Sequence, residues 1–269
     1  GTLDVGALER FVSDFSAFET SAVAPVSFAR VLRGIPEPEL ITTGSRRAEL
    51  RAGFGELARA LLAHGHIERV HVVSVNWASQ LVFGAVARAL GSAGRGVLSV
   101  HANPMPVEPS EHGGPPLTTG AIADEGGIHS AADKRRVFRE LLQEAGAPRG
   151  AAVEPAPLSV YVGDSLTDIC PLLEADVGVL IGSSSSVRKA LRALGVRVLP
   201  IVAAAVCRAG GATEGEAWRP SPAYTPAPAP PPSGAHRATV YEVSSWHELH
   251  ACLRGWEALG ELSGRPAFA

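Results

Sequence analysis

Two aspartates in one short segment could hold a metal ion. The stretch Gly163-Asp164-Ser165-Leu166-Thr167-Asp168 follows an apolar run and opens a helical pattern. A spacing of four residues places Asp164 and Asp168 on one face of the first helical turn. Two carboxylates this close repel each other unless a cation lies between them, and Mg²⁺ prefers such oxygen ligands. An N-capping Asp164 with a solvated Asp168 fits the same pattern.

Other polar residues follow apolar runs that look like strands. Asp14 follows one such run, Ser74 and Asn76 follow a second, and His101 ends a third. In parallel α/β sheets ligands bind at the carboxyl ends of strands. A hydroxyl at Ser74 could hold a phosphate oxygen together with helix amides, or it could simply cap the next helix. His101 could contact a substrate or make a structural hydrogen bond.

Lys134 stands at the start of a helical pattern. A cation at this position opposes the helix macrodipole, so an anion nearby would explain it. The other interpretation is an ordinary exposed lysine. Each of these residues is a weak indication by itself, and their order along the chain carries more weight.

Segments typical of strands alternate with segments typical of helices, and these elements must position the polar residues. The alternation predicts an α/β fold with a Rossmann-like, doubly wound parallel sheet. Short apolar runs predict strands at Arg10–Phe15, Val70–Val75, Val97–His101, Leu158–Val162, Val177–Ile181, Val196–Val202 and Thr239–Val243. Helical spacing covers Arg46–His64, Ala78–Leu90, Ala131–Ala145, Leu166–Ala175, Ser186–Leu194 and Trp246–Leu259.

Two segments interrupt this alternation within a predicted single domain over residues 1–269. Pro104–Gly127 is rich in Pro, Gly and Glu and predicts a long loop or an irregular hairpin. Residues 219–237 are rich in proline, which favours an extended surface loop over a packed segment, with a partner-binding proline motif as the alternative.

Composition excludes several classes of protein. The net charge of −3 gives no basic surface for nucleic acid, and the longest apolar stretch is too short for a bilayer span of about 20 residues. Three widely separated cysteines fit a reducing compartment. We therefore expect a soluble, intracellular protein without nucleic-acid or membrane partners. No strand is followed by G-x-G-x-x-G, which argues against a dinucleotide-binding dehydrogenase.

The order Asp14, Ser74, Lys134 and Asp164 with Asp168 resembles the four motifs of the haloacid dehalogenase superfamily. Longer stretches are similar to the phosphatase half of plant bifunctional thiamine-salvage proteins, which join a TenA-like aminohydrolase to a phosphatase domain. These stretches are Val70–Trp77, His101–Asn103, Thr119–Ile122, Asp133–Phe138, Val160–Ser165, Leu172–Ser186 and Val243–Ala251. The resemblance implies a haloacid dehalogenase-type sheet with a reduced helical cap at about residues 20–64, and an earlier fusion to a TenA-like domain.

The resemblance also implies an activity, the Mg²⁺-dependent hydrolysis of thiamine monophosphate or a similar small phosphate ester. Asp14 would be the nucleophile that forms an aspartyl-phosphate. Mg²⁺ would be held by Asp14, Asp164, Asp168 and the backbone carbonyl of Ser16. The substrate would be bound by Ser74, Asn76, His101 and Lys134, with Lys134 also stabilising charge during phosphoryl transfer.

The first motif departs from the superfamily at Ser16. The superfamily has there an aspartate that protonates the leaving alkoxide, and loss of such a group typically costs about 10²–10⁴-fold in rate. Glu19, three residues later, is a candidate substitute acid. Two hypotheses therefore remain open: a phosphatase, or a phosphate-binding or regulatory domain with little turnover.

Overall fold

The computed structural model describes residues 3–21, 23–65, 67–111, 113–122, 126–146, 159–182, 184–201 and 239–253. The chain forms two compact units, one of residues 11–138 and one of residues 1–10 with 139–269. The Pro-rich segment 219–237, and the part of the predicted helix Trp246–Leu259 beyond residue 253, lie outside the described residues.

The first element is a long helix, α1 (Val5–Ser21), so the prediction of a strand at Arg10–Phe15 is wrong. Asp4 caps this helix, because its Oδ1 accepts the N–H of Ala7 at 2.9 Å. Apolar residues recur at helical spacing, and among them Leu8 and Val12 are buried. The rings of Phe11 and Phe15 stack one turn apart, with centroids 5.4 Å from each other. Asp14 therefore lies in a helix and does not follow a strand.

The segment predicted as a cap contains several short elements. They are α2 (Val23–Ala29), β1 (Arg33–Pro36), α3 (Glu37–Arg47) and α4 (Phe54–Ala63). The single helix predicted over Arg46–His64 is wrong, because α4 begins only after Gly53, whose φ of 90° is left-handed. A role of residues 20–64 as a cap stays a prediction.

A β-α-β unit forms the centre of the 11–138 unit. Strand β2 (Val70–Val73) leads through helix α5 (Ser79–Leu90) to β3 (Leu98–His101), and the two strands pair in parallel from Val70↔Leu98 to Val73↔His101. Beneath them an apolar cluster centres on Leu90, which is fully buried. This confirms both predicted strands and the predicted helix, with ends shifted by one to a few residues.

Helix α3 packs directly on α5 through two glycines. A Cβ on Gly44 would collide with the carbonyl oxygen of Leu81, and one on Gly84 with that of Ile41. Only glycine allows the two helix backbones to approach this closely. This packing fixes the position of α5, which starts directly after the turn that ends β2.

The segment Pro104–Gly127 contains an irregular hairpin, as predicted. Strands β4 (Val107–Glu108) and β5 (Leu117–Thr119) pair antiparallel, and β1 pairs with the other edge of β5. The chain then enters helix α6 (Ala131–Gly146), which matches the prediction for Ala131–Ala145.

The second unit contains a four-stranded parallel sheet in the order β6-β7-β9-β8. Strands β7 (Val177–Ile181) and β9 (Thr239–Val243) match their predicted bounds, and β6 (Val160–Gly163) and β8 (Arg197–Pro200) lie within one to two residues of theirs. A short 3₁₀ turn at Leu166–Asp168, α7 (Ile169–Glu174) and α8 (Ser185–Ala193) connect them, and residues 246–253 are helical.

The architecture is mixed α/β with parallel strands, as predicted, and a Rossmann-like arrangement is consistent with it. The haloacid dehalogenase type of this fold and the assignment of one domain to residues 1–269 stay predictions. Among the described residues, no helix is long and apolar enough to cross a bilayer.

Candidate functional site

The turn after β2 presents two side-chain donors. The Oγ of Ser74 accepts the N–H of Asn76 at 3.1 Å, and the Oδ1 of Asn76 accepts the N–H of Ala78 at 2.8 Å. Ser74 is therefore a turn residue, and the alternative prediction that it caps α5 is wrong, since the N-cap position belongs to Ala78. Within the described residues, the Ser74 hydroxyl and the Asn76 amide nitrogen donate no hydrogen bond. Both remain available to an anion.

Asn103 joins this turn to the segment that leads into α6. Its side chain is 1% exposed. Its Nδ2 donates to the carbonyls of Asn76 at 3.2 Å and Ile128 at 2.9 Å, and its Oδ1 accepts the N–H of Ile128 at 2.6 Å. Its carbonyl accepts the N–H of Ser79, the first residue of α5. One buried amide thus holds the end of β2, the end of β3 and the approach to α6 together.

The first amides of α6 are all satisfied from within the chain. Glu19 Oε2 accepts the N–H of Ala131 at 3.1 Å, and Ser16 Oγ accepts that of Ala132 at 3.2 Å. Ser130 Oγ and the Ser130 carbonyl accept the next two N–H groups, and the carboxylate of Asp133 accepts from Ser130 in turn. A free helix N-terminus attracts anions, but here Glu19 and Ser16 already hold it.

Lys134 lies in this first turn of α6 and is 6% exposed. Desolvation of an ammonium is costly unless negative charge or hydrogen-bond acceptors surround it. Glu19 Oε2 accepts the N–H of Ala131 in the same turn, and the Asp133 carboxylate accepts the N–H of His129 and the hydroxyl of Ser130 just before it. At this burial Lys134 is not the ordinary exposed lysine of the alternative interpretation, and its contact with a phosphate stays a prediction.

His101 lies at the end of β3 and contacts His71 of β2. The Nε2 of His101 is 3.1 Å from the Nδ1 of His71, and the rings stack with centroids 5.4 Å apart. His101 also lines a cavity of about 340 Å³ with Asn103, Pro104, Gly126, Gly127, Ile128 and Val137. Its volume is near the lower end of the range found for small-molecule sites.

The turn Gly163–Asp168 belongs to the unit formed by residues 1–10 and 139–269. Asp168 is 4% exposed, and its Oδ2 accepts the N–H groups of Asp164 and Ser165 at 3.2 and 3.0 Å and the Ser165 hydroxyl at 2.6 Å. Its Oδ1 accepts the Tyr161 hydroxyl at 2.8 Å. Asp168 is thus not a solvated helix residue, and both of its carboxylate oxygens already accept hydrogen bonds from the chain. It holds the backbone of Asp164, whose own side chain is exposed.

Gly163 is required by close packing and not by a left-handed backbone. Its φ is not left-handed, but a Cβ on it would lie 2.5 Å from the Cβ of Asp168. Glycine is required because the Asp168 side chain packs on this backbone. Burial raises the pKa of the Tyr161 phenol well above its ordinary value, and the negative charge of Asp168 raises it further.

The predicted Mg²⁺ ligands are not assembled within either unit alone. The carboxylate of Asp14 is exposed on α1 and makes no hydrogen bond within the described residues, and the carbonyl of Ser16 accepts the Thr20 hydroxyl inside the helix. Among the described residues, no group of three or more His, Cys, Asp or Glu side chains could hold a metal ion. The requirement for Mg²⁺ stays a prediction.

The structure brings Ser74, Asn76 and His101 to one edge of the β2–β3 pair, with Asn103 linking this edge to the segment before α6. Ser16 contacts the first turn of α6, where Lys134 lies. The contact of Glu19 with α6 and the pairing of His71 with His101 were not predicted. The second could have been found, because in-register parallel pairing of the two predicted strands places these histidines diagonally across from each other.

Comparison with known proteins relates the chain to a plant protein. No protein-family model matches the chain. Over 257 residues, 94% of its length, the chain is 28% identical to the bifunctional TH2 protein, mitochondrial, of Arabidopsis thaliana. The chain spans 37% of the length of that relative. The similarity therefore extends over almost the whole chain but only over one part of the plant protein.

Proposed function

We propose that this chain acts in thiamine metabolism, where it binds a small phosphate monoester, thiamine monophosphate in the first place, and hydrolyses it. The sequence motifs predict a relationship to plant thiamine-salvage proteins. The similarity to the bifunctional TH2 protein supports this relationship. A TenA-like partner domain is part of the same proposal. The observation that carries phosphate binding is a pair of side chains at the carboxyl end of β2, Ser74 and Asn76, whose hydroxyl and amide N–H groups donate to no described residue.

The phosphate contacts are assigned to side chains because the leading amides of both helices have acceptors within the chain. Glu19 and Ser16 hold the first two amides of α6, and Asn103 holds the first amide of α5. The Ser74 hydroxyl and the Asn76 amide can each donate to a phosphoryl oxygen. Lys134 would add positive charge, and the cavity lined by His101 would take the organic part of the ester.

For hydrolysis, the proposal keeps Asp14 as the nucleophile. Its carboxylate oxygen would attack phosphorus, the P–O bond to the alcohol would break, and the leaving alkoxide would take up a proton. Water would then attack the aspartyl-phosphate, which releases inorganic phosphate and regenerates Asp14. Ser16 cannot supply that proton efficiently, since a hydroxyl is a poor acid at neutral pH.

The second candidate function is phosphate-ester binding with little turnover, and the position of Ser16 favours it. Its Oγ accepts the N–H of Ala132, and its carbonyl accepts the Thr20 hydroxyl. Residue 16 therefore has a structural role between α1 and α6. A domain that keeps Ser74 and Asn76 in place would still bind the ester.

Two measurements on the purified chain separate these functions. Phosphate release from thiamine monophosphate, followed with Mg²⁺ and with EDTA, would test hydrolysis in the wild type, in Asp14→Asn and in Ser16→Asp. Asp4→Asn is the matched control, since asparagine caps α1 as well as aspartate does. The phosphatase proposal expects turnover that Asp14→Asn abolishes and Asp4→Asn retains. Wild-type turnover that Asp14→Asn leaves unchanged would contradict it.

Calorimetric titration with thiamine monophosphate tests binding independently of turnover. We expect Ser74→Ala to weaken binding about tenfold, since a hydrogen bond to a charged group contributes about 1.5 kcal/mol or more. Ser99→Ala, on the neighbouring strand β3, is the control and should bind like the wild type. Binding without turnover until Ser16→Asp is introduced would establish the second candidate. No binding by the wild type would overturn both.

A further inference from the structure

Two imidazoles meet across the parallel pair β2–β3. His71 pairs in register with Ser99, and His101 lies two residues further along β3, so the two histidines are diagonal neighbours on one face. The Nδ1 of His71 and the Nε2 of His101 are 3.1 Å apart. Both strands are held in place by the apolar cluster on Leu90 and by the Asn103 network.

This contact brings two good metal-binding atoms together. A neutral imidazole has one protonated nitrogen and one nitrogen with a free lone pair. In the observed pair, the N–H of one ring donates a hydrogen bond to the lone pair of the other. If the donor ring changes tautomer and carries its proton on its other nitrogen, both facing nitrogens offer lone pairs to a cation. His71 is exposed, so the cation can enter from solvent.

We propose that His71 and His101 form a binding site for a divalent transition metal such as Zn²⁺, Cu²⁺ or Ni²⁺. Imidazole is a preferred ligand of these ions. With metal–nitrogen distances of about 2.0–2.1 Å, two nitrogens on one ion lie about 2.9 Å apart at a right angle and about 3.3 Å apart at a tetrahedral angle. The observed 3.1 Å lies between these values, so the spacing of the two nitrogens matches that of two ligands on one ion.

The site leaves part of the coordination sphere open. Two protein ligands leave at least two positions of a four-coordinate ion for water or for a bound molecule. His101 also lines the cavity of about 340 Å³, so a small ligand with an oxygen donor could reach the metal from that side. Mg²⁺ should not bind here, because it prefers oxygen ligands. The proposal is independent of phosphatase activity and of the carboxylate ligands predicted for Mg²⁺.

The test is calorimetric titration of the tag-free, EDTA-treated chain with zinc chloride. We expect one ion per chain, and at least tenfold weaker binding in each of His71→Ala and His101→Ala. His247→Ala removes another exposed histidine and should bind like the wild type. Circular dichroism of each variant establishes that it is folded, and magnesium chloride should neither bind at this site nor compete with zinc.

A second measurement keeps the proposal testable if a variant fails to fold. Electron paramagnetic resonance of the wild type with one equivalent of copper(II) sulfate should show hyperfine coupling to two imidazole nitrogens. Zinc binding that persists undiminished in a folded single variant, an equal loss in His247→Ala, or a copper spectrum without two imidazole nitrogens would overturn the site. So would the absence of zinc binding to the wild type at millimolar metal.

Discussion

The Gly163–Asp168 turn and the Asp14–Ser16 segment of α1 both carry aspartates, but the two segments use them in opposite ways. Asp168 is buried and accepts four hydrogen bonds, whereas Asp14 is exposed and accepts none within the described residues. A fully hydrogen-bonded carboxylate fixes the backbone around it and has little capacity left for a ligand. An exposed carboxylate is available for chemistry, but its own contacts do not orient it.

In each segment, one set of residues holds the local structure and a different aspartate is exposed. In the turn, Asp168 is the positioning residue, and the exposed carboxylate is that of Asp164. In the helical segment, Ser16 and Glu19 are the positioning residues, because both bind the first turn of α6. Asp14 is then the available carboxylate. In both segments, the aspartate with a predicted chemical role lies within five residues of one that secures the local structure.

The largest predicted effect concerns Asp168 and its neighbour Asp164. Asp168→Ala leaves two backbone N–H groups and two hydroxyls without their acceptor, which should lower the free energy of unfolding by about 3 kcal/mol. Asp164→Ala removes an exposed side chain and should change it by less than about 0.5 kcal/mol. Urea denaturation of both variants measures the difference. Equal losses would mean that Asp168 does not secure the turn.

The next prediction compares two glycines, Gly163 in the turn and Gly6 in α1. Gly163→Ala places a Cβ against Asp168 and should cost about 2 kcal/mol, as overpacking of a buried site does. Gly6→Ala lies on the exposed surface of α1 and should stabilise the protein by about 0.5–1 kcal/mol, since alanine favours a helix. Opposite signs in thermal and urea unfolding are the expected result. A destabilising Gly6→Ala would contradict a helix at the start of the chain.

Much of the fold could be predicted from local patterns. The strands at Val177–Ile181 and Thr239–Val243 are short apolar runs between polar turns, and their bounds agree with the structure. The helix α1 was also readable, because Asp4 is a capping residue and Val5, Leu8, Val12 and Phe15 follow at helical spacing. The run Arg10–Phe15 by itself predicts a strand, and only the longer period that starts at Val5 indicates the helix.

The site was only partly predictable, because its decisive contacts join residues that are distant in sequence. Ser74, Asn76 and His101 could be placed together, since the carboxyl ends of parallel strands share one edge. The contact of Ser16 with Ala132 spans 116 residues, and no local pattern indicates it. The hydrogen bond from Tyr161 to Asp168 depends on the directions of both side chains, which the sequence does not specify.

A smaller effect is expected for the contacts between α1 and the first turn of α6. Ser16→Ala and Glu19→Ala each remove an acceptor from the first turn of α6, and each should lower stability by about 1 kcal/mol, as loss of a helix cap does. Ser13→Ala makes the same change as Ser16→Ala on an exposed position of α1 and should be neutral. Amide exchange at Ala131 and Ala132 should accelerate in Ser16→Ala and Glu19→Ala but not in Ser13→Ala. Unchanged exchange in all three would show that α1 does not cap α6.

The smallest predicted effect is a pH dependence confined to the turn. The pKa of Tyr161 is raised above 10.0, first by burial and then by the charge of Asp168. A raised pKa in the folded state means that the folded protein retains a proton that the unfolded chain has already lost. Its contribution to stability is therefore complete below pH 10 and disappears as the pH rises through the raised pKa.

Near-ultraviolet titration of tyrosinate absorbance checks this directly. The chain has three tyrosines, and the step at highest pH should vanish in Tyr161→Phe. That variant should also lose less stability than the wild type between neutral pH and pH values above 10, because it has no phenol to ionise. A high-pH step that persists in Tyr161→Phe would mean that the phenol is not held against Asp168. Asp168 would then lack its hydrogen bond from Tyr161. The difference between this hydrogen-bonded carboxylate and the exposed carboxylate of Asp14 would be smaller.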